Sequence, residues 1–382
     1  MLQTIASLRH TLHRHPERSG QEEATAQRIR SFVETYHPTQ IIDGLGGHGL
    51  AVVYRFADEG PTVMIRCELD ALPLEETGAA PYRSEQPGVA HLCGHDGHMA
   101  MVAGLSHWLS EQSFRRGTVV LLFQPAEETG QGAAAVLQDD RFQALAPDYV
   151  FALHNIPGEP RGTVVLVDGG FSATVQSIAI YLTGKASHAS EPEKGLNPAN
   201  AMADMIRALD ALTVPDLARP DYALLTPIHL TMGQPDYGIS AGAGALHFTL
   251  RTRTDAVMQR LQARVSEVIG QSSQRYSLAV RTEWFDYFPT VRNHPRANER
   301  IRRAAEANQL TIKRSAVPYK FGEDFGWFSQ GYPAAMFGLG AGEDTPPLHH
   351  TDYDFPDALL PVGLAMFRGL ISDLLDTDHN AL

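Results

Sequence analysis

The first part of the chain combines two hydrophobic patterns. Apolar residues recur at helical spacing in residues 2–13 and 22–36, which predicts two amphipathic helices. Three later runs are almost continuously apolar, as is typical of strands buried on both faces; they cover residues 62–68, 117–124 and 149–153. Helical stretches separate these runs. The alternation predicts an α/β domain with a central, mostly parallel sheet.

The pattern changes near residue 173. Residues 177–183 and 246–252 alternate between apolar and polar positions, which is typical of strands with one solvent-facing side. Amphipathic helices are predicted at residues 197–212 and 257–269. We therefore expect a smaller α+β domain whose sheet is covered on one face.

The C-terminal part returns to the first pattern. Helices predicted at residues 298–308 and 359–375 flank an apolar strand at 334–340. We therefore expect a domain at residues 173–284 to interrupt a larger domain. The larger domain combines residues 1–172 with residues 285–382, and a length of 382 residues agrees with two hydrophobic cores.

Composition and charge narrow the class of function. Hydrophobic residues make up 43% of the chain and charged residues 20%, as in soluble globular proteins. We find no signal-peptide pattern and no run approaching the ~20 apolar residues of a membrane helix, so we expect a cytoplasmic protein without membrane contact. A net charge of −13 without a basic tract argues against nucleic acid as a partner. Two cysteines, Cys67 and Cys93, cannot form a disulfide framework.

Residues 91–98 concentrate metal-capable side chains in one loop. Cys93 and His95 flank Gly94, a spacing that turns both side chains to one side of an extended backbone. Both are good ligands for zinc-like metals. A helical apolar pattern begins at Gly97, and the start of that helix would favour a thiolate. The alternative interpretation is a helix-capping loop with incidental histidines.

Polar residues follow each of the three apolar strands. Asp70 follows the first, Glu127 and Glu128 follow the second, and His154 follows the third. In open α/β sheets the functional crevice lies outside the carboxyl ends of the strands. These residue types suit two metal ions, with one carboxylate left for proton transfer. The alternative is that polar residues simply begin where strands end.

His349 follows the last predicted strand and a loop rich in glycine and proline. We consider it a further candidate for the crevice that contains His154. The alternative for His349 and its neighbour His350 is a pair of surface residues.

Seven motifs in order along nearly the whole chain resemble those of a known superfamily. The motifs are residues 66–73, 93–98, 125–128, 151–155, 187–189, 323–325 and 348–349. They are similar to the zinc-dependent aminoacylase and carboxypeptidase superfamily, and within it to the hippurate hydrolases and indoleacetyl-amino-acid amidohydrolases. The resemblance implies a catalytic α/β domain that binds two divalent metal ions. It also implies that the smaller domain serves as a lid and for dimerisation.

The resemblance implies a role for each matching residue. The implied metal ligands are Cys93, His95, Glu128, His154 and His349. Glu127 matches the general base, and His188 of the lid matches a histidine that donates a hydrogen bond to the oxyanion in the partner subunit. Asp70 and Asp96 are expected to orient ligand imidazoles. His91 and His98 are expected to be packing or supporting residues.

Two positions in the predicted lid depart from the family pattern. Relatives usually carry an Asn-Val-Ile-Pro segment whose asparagine helps hold the substrate carboxylate, and this chain has Gly238 at the asparagine position. Relatives also commonly have a histidine where this chain has Glu193. Asn293, Arg251 and Arg253 remain candidate partners for a substrate carboxylate.

We therefore predict a metal-dependent amidohydrolase that cleaves N-acyl amino acids or related small N-acyl compounds. We expect zinc or manganese, with cobalt or nickel as alternatives, and a homodimer formed through the lid. A dipeptidase or aminopeptidase acting on free-amine peptides is the alternative enzyme. A non-catalytic, metal-dependent binding or regulatory protein is the alternative from another class.

Overall fold

A computed structural model describes residues 1–376 of the chain. The α-helices are α1 (Leu2–Arg14), α2 (Glu23–Glu34), α3 (His95–Ser110), α4 (Gly132–Leu137), α5 (Asp140–Gln143), α6 (Ala199–Asp210), α7 (Asp255–Arg275), α8 (Pro295–Ala307), α9 (Gly326–Gly331) and α10 (Leu360–Leu375). The strands are β1 (Gln40–Leu45), β2 (Gly49–Arg55), β3 (Asp58–Glu68), β4 (Arg116–Gln124), β5 (Tyr149–Pro157), β6 (Val164–Val167), β7 (Thr174–Thr183), β8 (Ser187–His188), β9 (Ala223–Met232), β10 (Ile239–Ser240), β11 (Ala243–Thr252), β12 (Ala279–Phe288), β13 (Ile312–Ser315) and β14 (Ala334–Gly342). Short 3₁₀ helices cover Pro192–Lys194 and Asp357–Leu359.

The chain divides into two compact units. The first comprises Met1–Phe171, Val291–Ala316 and the chain from Glu323 onward. The second comprises Ser172–Thr290 together with Val317–Gly322. The hydrophobic pattern does not predict that this last short segment joins the second unit.

The first unit is built on one eight-stranded sheet. Its strand order is β1-β2-β4-β3-β5-β14-β6-β13. The four central strands β4, β3, β5 and β14 are parallel to one another, and β2 and β6 pair antiparallel on either side of them. Successive residues of β14 are all buried, as are most of those in β4 and β5, so both faces of the sheet are covered. This arrangement confirms the predicted α/β class with a mostly parallel central sheet.

Helix α10 and the turn before it are as long and as apolar as a membrane-spanning helix, with a mean hydropathy of 1.6 over Asp357–Leu375. Leu364, Phe367 and Leu374 on this helix are buried and belong to the same hydrophobic core as strands β3 and β4. Packing in the core of the first unit therefore accounts for the hydropathy of α10.

The second unit contains an antiparallel sheet in the order β12-β7-β11-β9. Helices α6 and α7 pack on one face of this sheet and form a separate hydrophobic core with it. Strand β9 lies at the edge, where Ile228 and Leu230 are exposed. The short strands β8 and β10 pair antiparallel, with Ile239 opposite His188.

Candidate metal centre

Four parallel strands bring the candidate residues to one edge of the sheet in the first unit. Asp70 follows β3, Glu127 and Glu128 follow β4, His154 lies in the second half of β5, and His349 follows β14. These strands are neighbours in the sheet and run in the same direction. Their side chains therefore converge where the carboxyl ends of the strands meet.

The loop before α3 adds Cys93 and His95 to this edge. Gly94 between them has φ 94°, and a Cβ atom at this position would lie 2.5 Å from Oδ1 of Asn155. Only glycine combines that left-handed backbone with such close packing. Since His95 is the first residue of α3, the turn at Gly94 determines where both candidate ligands point.

Five sets of metal-capable side chains in residues 1–376 have atoms that lie within 4.8 Å of one another. Three of them combine predicted site residues: Cys93, His95 and His154; Cys93, Glu128 and His349; and His95, Glu127 and Glu128. The other two are Glu68, His95 and His98, and Glu127, Glu323 and Asp324. We refer to Cys93, His95, Glu128, His154 and His349 as the donor cluster. Because the first three sets share members, their residues would suit a site that holds two divalent ions.

Backbone carbonyls fix which ring nitrogen of each histidine faces the cluster. His95 Nδ1 donates a hydrogen bond to the carbonyl oxygen of Asp70 at 2.9 Å, and Nδ1 of His154 donates to the carbonyl oxygen of Asn155 at 2.9 Å. In a neutral ring the Nε2 atom then carries no proton and can act as a ligand. Despite burial, hydrogen bonding to Asp70 and the charges of Glu68 and Glu128 raise the pKa of His95 to about 10, so this ring must lose a proton when a metal ion binds. His154 Nε2 lies 3.5 Å from Cys93 Sγ.

Several polar atoms at the site are buried without a hydrogen-bond partner in residues 1–376. They include His95 Nε2, Glu128 Oε1 and Asp70 Oδ1. His95 Nε2 lies 3.9 Å from Glu128 Oε1, and His349 Nε2 lies 3.7 Å from the same oxygen. Buried polar atoms normally find partners, so a set of ligand atoms left facing one another fits bound cations.

The electrostatics of the donor cluster also fit bound cations. Burial raises the pKa of the Cys93 thiol well above its usual value, and Glu128 adds to the effect. Burial likewise raises the pKa of Glu128 to about 7. His154 is neutral because burial lowers its pKa to about 3. Divalent cations would stabilise the thiolate and carboxylate that burial alone disfavours.

Glu127 shares a metal-capable set with His95 and Glu128, but we leave it out of the donor cluster because the family resemblance gives it the role of general base. Its Oε1 accepts a 3.3 Å hydrogen bond from the backbone N–H of Asp324, and its Oε2 lies 4.0 Å from His95 Nε2. Burial raises the pKa of Glu127 well above the usual value, and Glu323, Glu128 and Asp324 raise it further. A carboxylate with a raised pKa at the edge of a metal-capable cluster suits a role in proton transfer.

The two predicted supporting aspartates have different contacts. Asp70 accepts the hydrogen bond of His95 through its backbone carbonyl, while its Oδ2 accepts bonds from Ser19 Oγ and from the backbone N–H of Glu128. Asp96 does not contact a ligand imidazole within residues 1–376. It instead accepts hydrogen bonds from Arg9 Nε at 2.7 Å and His13 Nδ1 at 2.8 Å. The contacts of Asp96 are therefore with two side chains of α1, and its role in orienting a ligand imidazole stays a prediction.

The candidate partners for a substrate carboxylate find little support in their contacts. Both N–H groups of the Asn293 amide are engaged, by the carbonyl oxygens of Val167 at 3.0 Å and Met336 at 2.8 Å. Asn293 therefore links two strands of the first unit instead of presenting its amide to a ligand. Arg251 belongs to the second unit, where it donates to the carbonyl oxygen of Lys320, and its role stays a prediction.

His188 belongs to the second unit and is exposed on β8. Its Nδ1 accepts a 3.1 Å hydrogen bond from the backbone N–H of Ser190. The neutral ring therefore carries its proton on Nε2, where it can serve as a hydrogen-bond donor. Gly238 and Glu193, which depart from the family pattern, lie in the same unit; the carbonyl oxygen of Gly238 accepts a bond from Ala189 beside His188.

A buried network that the sequence interpretation missed lies next to Glu127. Arg66 donates to Gln124 Oε1 at 2.9 Å, to Asp324 Oδ1 at 2.6 Å and to Glu68. Asp324 also accepts bonds from Gln124 Nε2 and from the backbone N–H of Ala133. We refer to Arg66, Glu68, Gln124 and Asp324 as the Arg66 network. The signal available in the sequence was the presence of Arg66 and Glu68 within an otherwise apolar strand.

The remaining histidines of the loop differ in their contacts: His98 is hydrogen-bonded, whereas both ring nitrogens of His91 are buried without a partner in residues 1–376. His98 Nδ1 donates to Glu68 Oε2 at 2.7 Å, and its Nε2 lies 2.6 Å from Asn155 Oδ1. His91 is fully buried, and burial lowers its pKa to about 3.

Comparison with known proteins places the chain in a family. Residues 64–373 match peptidase family M20/M25/M40. The chain is 30% identical over 389 residues to the N-acetyl-L-cysteine deacetylase of Bacillus subtilis, covering 99% of this chain and 89% of that protein. It is 29% identical over 368 residues to the N-acetyldiaminopimelate deacetylase of Bacillus velezensis, covering 96% of this chain and 98% of that protein.

A solved structure agrees with this assignment. The crystal structure of the Bacillus subtilis YXEP protein, described as a dinuclear metal-binding peptidase of the M20 family, matches with a TM-score of 0.82 at 26% identity over 99% of both chains. These similarities confirm the predicted metallopeptidase superfamily, while the narrower hippurate hydrolase branch stays a prediction. The chain belongs to peptidase family M20/M25/M40 and is a metal-dependent hydrolase of amide bonds.

Proposed function

We propose that this enzyme hydrolyses the amide bond of small N-acyl amino acids, using two divalent metal ions held by the donor cluster. The observation that carries the proposal is a buried set of thiol, imidazole and carboxylate ligand atoms, some without hydrogen-bond partners, with Glu127 beside them. Relatives at 29–30% identity are deacetylases of N-acetylcysteine and N-acetyldiaminopimelate, which supports an N-acyl amino acid as the substrate class.

The ligands proposed for the two ions are Cys93, His95, Glu128, His154 and His349. When bound, divalent ions polarise the scissile carbonyl and lower the pKa of water toward neutrality. Zinc or manganese suits this mixture of sulfur, nitrogen and oxygen donors, with cobalt and nickel as alternatives.

Glu127 is the proposed general base. It takes a proton from the attacking water and delivers that proton to the nitrogen of the leaving amine. The backbone N–H of Asp324 holds one carboxylate oxygen of Glu127 and leaves the other turned toward His95. Proton transfer by a positioned group contributes roughly 10²–10⁴ to the rate.

His188 is the proposed donor to the oxyanion that forms as water attacks. Its Nε2–H is available because Ser190 donates to Nδ1. By the family resemblance the residue acts in the partner subunit, so the active enzyme would be a homodimer formed through the second unit. Exposed apolar residues on the edge strand β9, namely Ile228, Leu230 and Met232, support such an association. We expect the enzyme to work in the cytoplasm.

A substrate panel tests the proposed function. Metal-stripped protein is reconstituted with Zn²⁺, Mn²⁺, Co²⁺ or Ni²⁺ and assayed with N-acetyl amino acids and with dipeptides of the same C-terminal residue. We expect release of acetate and free amino acid from the N-acetyl compounds, with the metal-stripped protein inactive as the control. Cleavage of dipeptides alone would instead support the dipeptidase alternative, and hydrolysis of neither class would overturn both.

A further inference from the structure

Arg9 on α1 is fully buried and contacts carboxylates from two distant segments. Its Nε donates to Asp96 Oδ2 at 2.7 Å, its Nη2 donates to Asp354, and its Nη1 donates to Asp357 Oδ1 at 3.3 Å. The side chain of Arg9 is 0% exposed, whereas those of Asp354 and Asp357 are 39% and 38% exposed. A guanidinium can bind several carboxylates at once because its N–H donors form a rigid fork and its charge persists at any pH in the physiological range.

The two segments joined by Arg9 are those that carry candidate metal ligands. Asp96 directly follows His95 at the start of α3. Asp354 and Asp357 follow His349 in the segment between β14 and α10. One buried side chain thus ties the segment of His349 to the loop of Cys93 and His95.

Other residues hold the same carboxylates in place. His10 Nε2 lies 2.7 Å from Asp357 Oδ2, and the Tyr82 hydroxyl donates to Asp354 Oδ2 at 2.7 Å. The rings of His10 and Tyr82 stack with centroids 3.7 Å apart, and the Arg9 guanidinium lies 4.7 Å from the centre of the Tyr82 ring. The carboxylates therefore have defined positions against α1.

His349 depends on its surroundings for its position. Its φ is 67°, a left-handed conformation that is unfavourable for a residue with a side chain and persists only where surrounding contacts enforce it. Its side chain is 49% exposed, so packing around the imidazole is incomplete. Its backbone N–H donates to the carbonyl oxygen of Leu92 at 2.8 Å. The position of His349 relative to Cys93 and His95 therefore depends on the contacts between its own segment and the Cys93–His95 loop.

We infer that Arg9 is a positioning residue of the metal centre, which holds the segment of His349 against the Cys93–His95 loop through Asp354, Asp357 and Asp96. The inference rests on the proposed function, because it takes the donor cluster as the binding site of two ions. Weakening the contacts of Arg9 with Asp354 and Asp357 should affect only one of the two ions. It displaces His349 and lowers the affinity for the ion that His349 helps to bind. The other ion, held by ligands whose positions do not depend on that segment, keeps its affinity.

The test removes the charges of Asp354 and Asp357, the two solvent-exposed carboxylates that Arg9 contacts. Substitution of Arg9 itself would leave Asp96 buried beside fewer cations and endanger folding. The double variant Asp354→Asn with Asp357→Asn keeps the Arg9–Asp96 pair intact. Asp373→Asn is the matched control, because Asp373 pairs with Arg300 at 2.6 Å between α10 and α8 of the same unit.

Each metal-stripped protein is titrated with Zn²⁺ by calorimetry, and its thermal unfolding is measured without metal. We expect the double variant to lose about 10–100-fold in affinity for one of two Zn²⁺ ions, the range typical of residues that support metal ligands. The second ion and the Asp373→Asn control should match the wild type. Unchanged binding of both ions, or an equal loss at both together with reduced thermal stability, would overturn the inference. A wild-type protein that binds no Zn²⁺ would instead contradict the proposed function.

Discussion

The donor cluster and the Arg66 network are adjacent, rich in ionisable groups and largely buried apart from His349, but their atoms are paired differently. Arg66 bonds to Glu68, Gln124 and Asp324, and each of these has a further partner within the protein. In the donor cluster, His95 Nε2 and Glu128 Oε1 lie 3.9 Å apart and make no hydrogen bond within residues 1–376.

This difference separates two uses of buried charge. A network whose atoms are all paired belongs to the folded structure itself, because removing one member leaves the others buried without compensation. A cluster of ligand atoms without partners carries a free-energy cost until cations bind. The comparison therefore predicts that changes in the two regions affect different properties, stability in one and metal binding in the other.

The largest expected effect concerns Glu127, which lies between the two regions. Glu127→Gln should lower turnover of the metal-loaded enzyme by roughly 10²–10⁴-fold, since an amide cannot accept the proton. The same change should stabilise the metal-free protein at neutral pH. The pKa of Glu127 is higher in the folded protein than in the unfolded chain, so ionisation above pH ~4.5 disfavours folding in the wild type and not in the variant.

The measurements for Glu127→Gln are steady-state kinetics with metals bound and thermal unfolding of the metal-free protein between pH 5 and pH 8. A variant with wild-type turnover and full metal content would rule out Glu127 as the base. A variant less stable than the wild type at pH 8 would show that the carboxylate is paired after all.

The next effect concerns the Arg66 network. Arg66→Met should lower the free energy of unfolding by about 3–5 kcal/mol, because it removes the buried arginine that pairs with Glu68 and hydrogen-bonds to Asp324. Urea unfolding of the metal-free protein measures this loss. Arg115→Met is the control, since Arg115 is 86% exposed and its ion pair with Asp58 should contribute little. Equal stability of the two variants would contradict the distinction between the two regions.

A smaller effect is expected from pH on metal binding. Because burial raises the pKa of the Cys93 thiol, this group is protonated at neutral pH and must lose its proton when a metal ion binds. Affinity should therefore rise with pH, by about tenfold per pH unit for each proton released. Calorimetric titration with Zn²⁺ in buffers of different ionisation enthalpy counts those protons. A count of zero would mean that Cys93 is already a thiolate or is not a ligand.

The smallest effect is expected at His91, in the same loop as Cys93. His91→Gln exchanges one neutral buried side chain for another, and we expect both metal ions to remain bound. Cys93→Ser is the comparison and should lose metal at the same protein concentration, because a serine hydroxyl is a much weaker ligand. The metal content of desalted protein, measured by mass spectrometry, decides the point. Loss of metal from His91→Gln would extend the donor cluster to this residue.

Positions at strand ends were predictable because they depend on a local pattern. The apolar runs that became β3, β4 and β5 each lead to polar residues, and neighbouring parallel strands place their carboxyl ends at the same edge of a sheet. Asp70, Glu128 and His154 therefore converge as expected from their places in the sequence. The prediction that Cys93 and His95 belong to the same site came instead from their residue types, since both are good metal ligands.

The edge strands of the second unit were harder to predict. Strand β9 contains Pro227 and has mostly exposed residues, and β12 is exposed over most of its length. Edge strands bury little of their surface, so the alternation that marks a half-buried strand is weak in their sequences. The sequence pattern accordingly identified β7 and β11, the two inner strands.

The sequence pattern did not predict which charged groups pair with one another. Asp96 was expected to orient a ligand imidazole, and in the structure it pairs with Arg9, 87 positions away. Arg66 likewise meets Asp324, 258 positions away. Asn293 looked available for a substrate and instead links two strands.

The sequence by itself determined the α/β class and the edge of the sheet where Asp70, Glu128 and His154 lie, and it predicted which residues could bind metal. These features follow from residue chemistry and from hydrophobic periodicity over a few residues, both of which are local. Only the tertiary structure decided which carboxylates are neutralised by arginine and which ligand atoms remain without a partner. That outcome depends on distances between remote segments of the chain. A buried carboxylate that receives hydrogen bonds from an arginine is already satisfied within the protein, whereas one without such a donor can be satisfied by a bound cation.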